Sequence, residues 1–106
     1  MSFKWPSKAP DEVQDYSLDW SRLLETSTMI TGVDYFIEYE QGAKVAFPTT
    51  GTVYELTHNA NSVSGKVTTI FLAAGTLNRN YKVYCQITDS LGRVTERSVT
   101  ISIRNR

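Results

Sequence analysis

Apolar and polar residues alternate most strictly in the last quarter of the chain. From residue 81 to 88 every odd position is apolar or aromatic, and the same alternation returns at residues 99–103. A period of two predicts two strands, each with one buried and one solvated face. Residues 89–92 lie between them and have the composition of a short hairpin loop, with Gly92 placed for a positive φ.

Further short strands are predicted upstream of this hairpin. Residues 33–39, 52–57 and 66–73 are dense in β-branched and aromatic side chains, which favour a pleated, half-buried backbone. Glycine, proline and threonine between residues 42 and 51 indicate a loop. No segment predicts a long helix.

Two segments are less clear. Residues 11–24 fit helical spacing and strand alternation equally well, and we favour a strand at about residues 15–20 because the following sequence is β-rich. Residues 58–65, with the sequence HNANSVSG, contain the asparagine and glycine typical of turns. This predicts a turn and places His58, the one histidine, in an exposed loop.

The first residues predict an extended arm. Prolines at positions 6 and 10 fix φ and disfavour helix in the residues before them. We therefore divide the chain into an arm at residues 1–12 and a β-sandwich domain at residues 13–106. Phe3 and Trp5 lie in this arm, and such large aromatic side chains need a surface to dock on. That surface belongs either to the domain itself or to a neighbouring protein.

Composition narrows the possible partners. The chain has 106 residues, enough for one domain, and its 11 basic and 11 acidic residues give no net charge. It therefore offers no electrostatic reason to bind nucleic acid or an anionic membrane. A single cysteine excludes an intramolecular disulfide, and the polar N-terminus lacks the apolar run of a signal peptide. We expect the chain to fold in a reducing cytoplasm.

The inventory of catalytic groups is small. His58 and Cys85 alone do not supply a transition-metal site, and Cys85 falls on the apolar face of the predicted hairpin. Phosphate-binding glycine loops and nucleophile elbows are absent from the sequence. We expect no cofactor and no enzymatic activity. Aromatic residues make up 11% of the chain, and some fall where alternation places them outside, which indicates an assembly surface or ordinary half-buried sheet aromatics.

Several motifs resemble small tailed-phage proteins of the fibre–tail adaptor kind. The similarity spans nearly the whole chain and includes an opening acidic run followed by an Asp-Tyr-x-x-Asp-Trp core, a Thr-Thr-x-aromatic-Leu strand, a Tyr-x-Val strand and a Gly-Arg-x-x-Glu-Arg-Ser segment. These motifs occur here at residues 11–20, 68–72, 81–83 and 92–98.

The resemblance implies a non-enzymatic virion protein, made in the bacterial host cytoplasm and located in the tail or neck. Strand count and turn spacing suggest a β-sandwich, with a small barrel as the alternative, and we predict an all-β, immunoglobulin-like β-sandwich with an extended N-terminal arm. Its partners would be other tail, neck or fibre proteins and identical chains arranged head-to-tail in a ring. A capsid decoration protein and a carbohydrate-binding module contacting the host surface stay open as alternatives.

Two groups of residues are the predicted interface. One is the arm and its receiving surface, and the other follows the C-terminal hairpin loop, where Glu96 is expected to pair with either neighbouring arginine across the sheet. The residues are Phe3, Trp5, Tyr16, Trp20, Arg93, Glu96 and Arg97.

Overall fold

The computed structural model describes residues 2–24, 27–40 and 42–104, and for residues 2–4 it describes the backbone. Within these residues the protein is all-β, as predicted, and has no helix. The strands are β1 (Ser2–Lys4), β2 (Gln14–Asp19), β3 (Ile30–Tyr39), β4 (Val45–Ala46), β5 (Thr52–Val53), β6 (Leu56–Ser64), β7 (Val67–Ala74), β8 (Asn80–Asp89) and β9 (Val94–Ser102).

The described strands form two sheets. One has the order β1-β9-β8-β3-β4, and the other has the order β2-β7-β6-β5. All pairings are antiparallel except that of β1 with β9, which is parallel. One hydrophobic core takes buried side chains from both sheets, including Ile37, Val83 and Val99 from the first and Ile70 and Leu72 from the second. The two sheets therefore pack face to face across a shared core.

The predicted C-terminal hairpin is confirmed. Every odd residue of β8 from Tyr81 to Asp89 is buried, and each even residue is partly exposed. Gly92 in the connecting loop has φ of 82°, a conformation that glycine adopts without the penalty that a Cβ brings. Cys85 is 1% exposed on the inner face, as expected, and burial raises the pKa of its thiol.

The predicted single strand at residues 52–57 is wrong. Tyr54 and Glu55 both have positive φ, 52° and 69°, and form a two-residue turn between β5 and β6. Tight hairpins of this kind usually contain asparagine or glycine at these positions, so the sequence carries no turn signal here. Contacts hold the turn instead: the Tyr54 ring stacks on Tyr39 with centroids 5.4 Å apart, and its hydroxyl donates to the Ala43 carbonyl.

The predicted turn at residues 58–65 is also wrong, because most of that segment belongs to β6. The reversal lies after it, where Gly65 has φ of 59°. A bulge between His58 and Ala60 accommodates the polar residues that suggested a turn. The favoured strand in the ambiguous N-terminal region is confirmed as β2.

As a result His58 is 1% exposed rather than in an exposed loop. Its Nδ1 lies 2.9 Å from the Phe47 carbonyl oxygen and its Nε2 lies 2.9 Å from Asn61 Nδ2. A carbonyl only accepts, so the Phe47 contact places the proton on Nδ1, and Nε2 accepts from the Asn61 amide. Both ring nitrogens of the neutral imidazole therefore have a hydrogen-bond partner. Burial lowers the pKa of His58.

This environment predicts a loss of stability in mild acid. The folded-state pKa of His58 lies below its ordinary value of 6.5. The stability that the buried, neutral imidazole contributes is therefore complete above pH 6.5 and is lost as the pH falls through the folded-state pKa. Urea unfolding should show a lower midpoint at pH 5.5 than at pH 7.5. His58→Asn, which keeps a donor near Phe47 but does not titrate, should be less stable throughout and lose the pH dependence. If the urea midpoint falls equally in both proteins between pH 7.5 and pH 5.5, this account is contradicted.

Candidate protein-interaction surface

The N-terminal segment runs beside the second half of β9 and the residues after it, from Ser98 to Arg104. After the three parallel pairs of β1, the Trp5 amide donates to the Thr100 carbonyl at 2.9 Å, and the Lys8 amide donates to Ser102 at 3.0 Å. The Arg104 amide in turn donates to the Lys8 carbonyl. The backbone of this segment is thus held on the edge of the first sheet within a single chain. The division at residue 12 into an arm and a domain stays a prediction.

Trp5 closes the gap between the two sheets. It is 8% exposed, its ring stacks on Tyr16 with centroids 5.0 Å apart, and its indole lies 3.4 Å from the carbonyl oxygen of Ser17 in β2. Of the two docking surfaces considered for this aromatic, the structure shows the domain's own. The side chain of Phe3, the other predicted arm contact, lies outside the described residues.

Trp20 fills the core beyond the end of β2. It is 1% exposed, and its indole N–H donates to the Thr68 hydroxyl at 3.0 Å. The Arg97 guanidinium lies over the ring, 5.5 Å from its centroid. Trp5, Tyr16 and Trp20 are therefore packed inside one chain, so a direct role in contacting a partner would require them to move. Their interface role stays a prediction.

Lys8 is a buried residue that the sequence did not single out. It is 0% exposed, and its ammonium donates to the carbonyls of Ala9 and Ala74. Burial lowers the pKa of Lys8, and the charges of Glu12 and Asp11 oppose that shift. Lysine is almost never fully buried unless it is paired, so composition gives no signal for this position. Its bonds tie the N-terminal segment to the end of β7.

Asp89 fixes the hairpin loop between β8 and β9. One carboxylate oxygen accepts from the amides of Leu91 and Arg93, and the other accepts from the Arg93 guanidinium at 2.9 Å. Burial opposes the charge on Asp89, but the hydrogen bonds from Arg93 and Leu91 outweigh it and lower the pKa of this carboxyl. These bonds stabilise the conformation of the loop, and Arg93 lies half exposed at its side.

Three apolar side chains are exposed around this loop. Met29 is 66% exposed, Leu91 is 63% exposed and Val94 is 59% exposed. Two hydrogen bonds join Met29 to Ser90, so the residue before β3 lies beside the hairpin. We call Met29, Leu91 and Val94 the apolar tip. Single exposed apolar residues are normal, whereas large contiguous apolar patches mark interaction sites, so three such residues around one loop make this surface a candidate.

The predicted pairing of Glu96 with an arginine is wrong. Glu96 binds Lys44 instead, at 2.9 and 3.0 Å, and the Lys44 ammonium also lies 4.1 Å from the centroid of the Tyr84 ring. Strand alternation explains the error: Arg97 projects to the inner face over Trp20, and Glu96 projects to the outer face. Arg93 is already bound to Asp89.

Two other kinds of feature were sought among the described residues. These residues contain no group of three or more histidine, cysteine, aspartate or glutamate side chains arranged to hold a metal ion. Nor do they contain a helix of the length and apolarity needed to cross a bilayer. The surface feature with the clearest physical meaning is the apolar tip on its fixed hairpin.

Comparison with known proteins agrees with this picture. No curated protein matches the chain. A family model does, that of the podophage GP4 fiber-tail adaptor protein gp77, and the match runs from residue 8 to residue 102. The match includes the hairpin and all three residues of the apolar tip, and it begins at Lys8, after β1 and Trp5. The chain therefore belongs to the podophage fiber-tail adaptor protein family.

Proposed function

We propose that this chain is a non-enzymatic structural protein of a phage particle that attaches tail fibres to the tail or neck through protein–protein contacts. The observation that carries the proposal is the apolar tip, three exposed apolar side chains on a hairpin fixed by Asp89, in a member of an adaptor family. Burying such side chains against a partner removes apolar surface from water, which drives association.

The fixed hairpin supports this role energetically. Ordering a loop on binding costs free energy, and that cost is subtracted from the affinity. Here Asp89 already binds the amides of Leu91 and Arg93 in the free chain. The half-exposed Arg93 stands beside the apolar residues and supplies a donor for the rim of an interface, where arginine is enriched.

The proposal includes an assembly. The two packed sheets are in our view immunoglobulin-like, and identical copies stand in a ring through head-to-tail contacts that repeat around the axis of the tail. Residues 1–12 act as an arm in this assembly, with Phe3 and Trp5 as its aromatic contacts. Support for the arm is its position on the sheet edge, where a strand can be exchanged with a neighbour without breaking the central ladders.

The proposal is tested by making particles without this chain. Phage carrying a deletion of its gene should assemble heads and tails that lack fibres, and adding the purified chain together with purified fibres should restore attachment. Electron microscopy of negatively stained particles counts the fibres directly. Particles that keep a full set of fibres in the absence of the chain would contradict the adaptor role.

A further inference from the structure

An adaptor needs two contact surfaces, and the structure offers a second one away from the apolar tip. Strand β4 is two residues long, whereas its partner β3 has ten. The ladder pairs Phe36 with Ala46 and Ile37 with Val45, and the Phe47 amide donates to the Tyr35 carbonyl at 2.9 Å. The earlier half of β3 extends beyond this short ladder.

Pro48 ends the ladder. Continued in register, it would stand opposite Asp34 in a non-hydrogen-bonded pair, and its ring fixes φ near about −65°, away from the values of an antiparallel strand. The chain turns away at this point, with the Gly51 amide bound to the Pro48 carbonyl and Thr50 at φ of 64°. It then crosses to the other sheet.

The uncovered part of β3 leaves backbone groups open. Tyr35 directs its carbonyl towards β4, and residues two apart in a strand direct their backbone groups to the same side. Val33 therefore points its N–H and C=O away from β8, and within residues 2–24, 27–40 and 42–104 no hydrogen bond to them is found. An open edge of this kind is a template for an added strand.

A cleft lies directly beside this edge. Its volume is about 250 Å³, and its lining includes Val33, Tyr35, Ala46, Phe47, Pro48 and His58. Its lining is mainly apolar, so it suits an uncharged side chain that projects inward from an added strand. On the outer side the exposed carboxylate of Asp34 has no ion pair in the described part of the chain. A basic residue next to the apolar one would complement it.

We propose that the open edge of β3 binds an extended segment of another virion protein, in which apolar residues alternate with a basic one. The segment would continue the line of β4, exchange backbone hydrogen bonds with Val33, place one apolar side chain in the cleft and set its basic residue against Asp34. Among the described residues, the chain's own extended segment, β1, is already paired with β9, so the occupant comes from a different protein.

This inference rests on the proposed function in one respect: the partner is taken to be a virion protein. Binding is therefore measured on the isolated full chain, using the peptide acetyl-Thr-Val-Lys-Val-Thr-amide as the probe and nuclear magnetic resonance of the labelled protein as the readout. The expected shifts lie at residues 30–34 and 46–49. The same peptide with glutamate in place of lysine should bind at least about tenfold more weakly.

Two variants and one matched control sharpen the test. Asp34→Lys should weaken binding of the lysine peptide about tenfold or more, whereas Asp15→Lys, the same charge change on the opposite edge strand β2, should leave it unchanged. Val33→Pro removes the open N–H without removing a bond to β8, so it should abolish binding while the chain stays folded. If the proline variant does not fold, the comparison of Asp34→Lys with Asp15→Lys is sufficient to test the inference.

Three outcomes would overturn the inference: equal binding of both peptides, shifts that map elsewhere, or a dimer formed through this edge, which would make a second copy the occupant. Failure here is distinguishable from failure of the adaptor role. If only the edge-binding inference fails, particles without the chain still lose their fibres. If the adaptor role fails, such particles keep them.

Discussion

Replacing Met29 and Leu91 with serine should lower incorporation of the chain into phage particles about a hundredfold in competition with the natural chain. Both residues are more than 60% exposed, so the free protein has little to lose from the change. Burying each against a partner is worth about 1.5 kcal/mol, and two such losses, about 3 kcal/mol, correspond to a factor of roughly a hundred. Quantitative mass spectrometry of particles assembled from a mixture of both chains measures the ratio.

A matched variant tests whether the position of these residues matters. Val13 and Leu77 are also exposed and apolar, at 56% and 36%, but they lie away from the hairpin loop. Leu77 precedes the start of β8, whereas the loop follows its end, and Val13 precedes Gln14, which pairs with Leu72 near the end of β7. Replacing both with serine changes the same kind of surface and should leave incorporation within about twofold of the natural chain. Equal losses for the two double variants would contradict a specific contact through the apolar tip.

Replacing Trp20 with alanine should destabilise the fold by about 3–5 kcal/mol, the range for large aromatic side chains deleted from a core. The side chain is 1% exposed, donates to the Thr68 hydroxyl and lies beneath Arg97, so its removal leaves a cavity between the two sheets. For a domain of this length the melting temperature should fall by more than about 12 °C, at roughly 4–8 °C per kcal/mol. Calorimetry or urea unfolding measures the change.

Two further variants separate the contributions at this position. Trp20→Phe keeps much of the buried area but loses the hydrogen bond to Thr68, and should cost clearly less than the alanine change. Phe71→Ala removes an aromatic ring from the outer face of β7, where the side chain is 36% exposed, and should cost about 1 kcal/mol or less. A Trp20→Ala protein as stable as Phe71→Ala would show that Trp20 does not hold the core.

The parts of the fold that could be predicted are those where one local pattern decides the structure. The hairpin of β8 and β9 has strict alternation and a glycine in its loop, and both agree with the structure. His58 was misplaced because its neighbours are turn formers, yet a bulge keeps them in a strand. The turn at Tyr54 and Glu55 lacked any turn residue and depends on tertiary contacts such as the stacking of Tyr54 on Tyr39.

The candidate surfaces could also be predicted only where they depend on residues close together in the sequence. The sequence pointed to the segment after the hairpin loop, but it assigned the wrong partner to Glu96 because Lys44 reaches it from a distant loop. The apolar tip was not predicted, since Met29 and Leu91 are 62 positions apart and the bonds between Met29 and Ser90 bring these segments together. Lys8 was not predicted either, because its burial depends on carbonyl groups supplied by the end of β7.

The most direct test of the adaptor role is a count of this chain in purified particles, measured by quantitative mass spectrometry against the portal protein. The account predicts a number close to that of the portal protein or a small multiple of it, as expected for a ring at the tail or neck. A number close to that of the major capsid protein would make the chain a capsid decoration protein, and its absence from particles would contradict the structural role altogether.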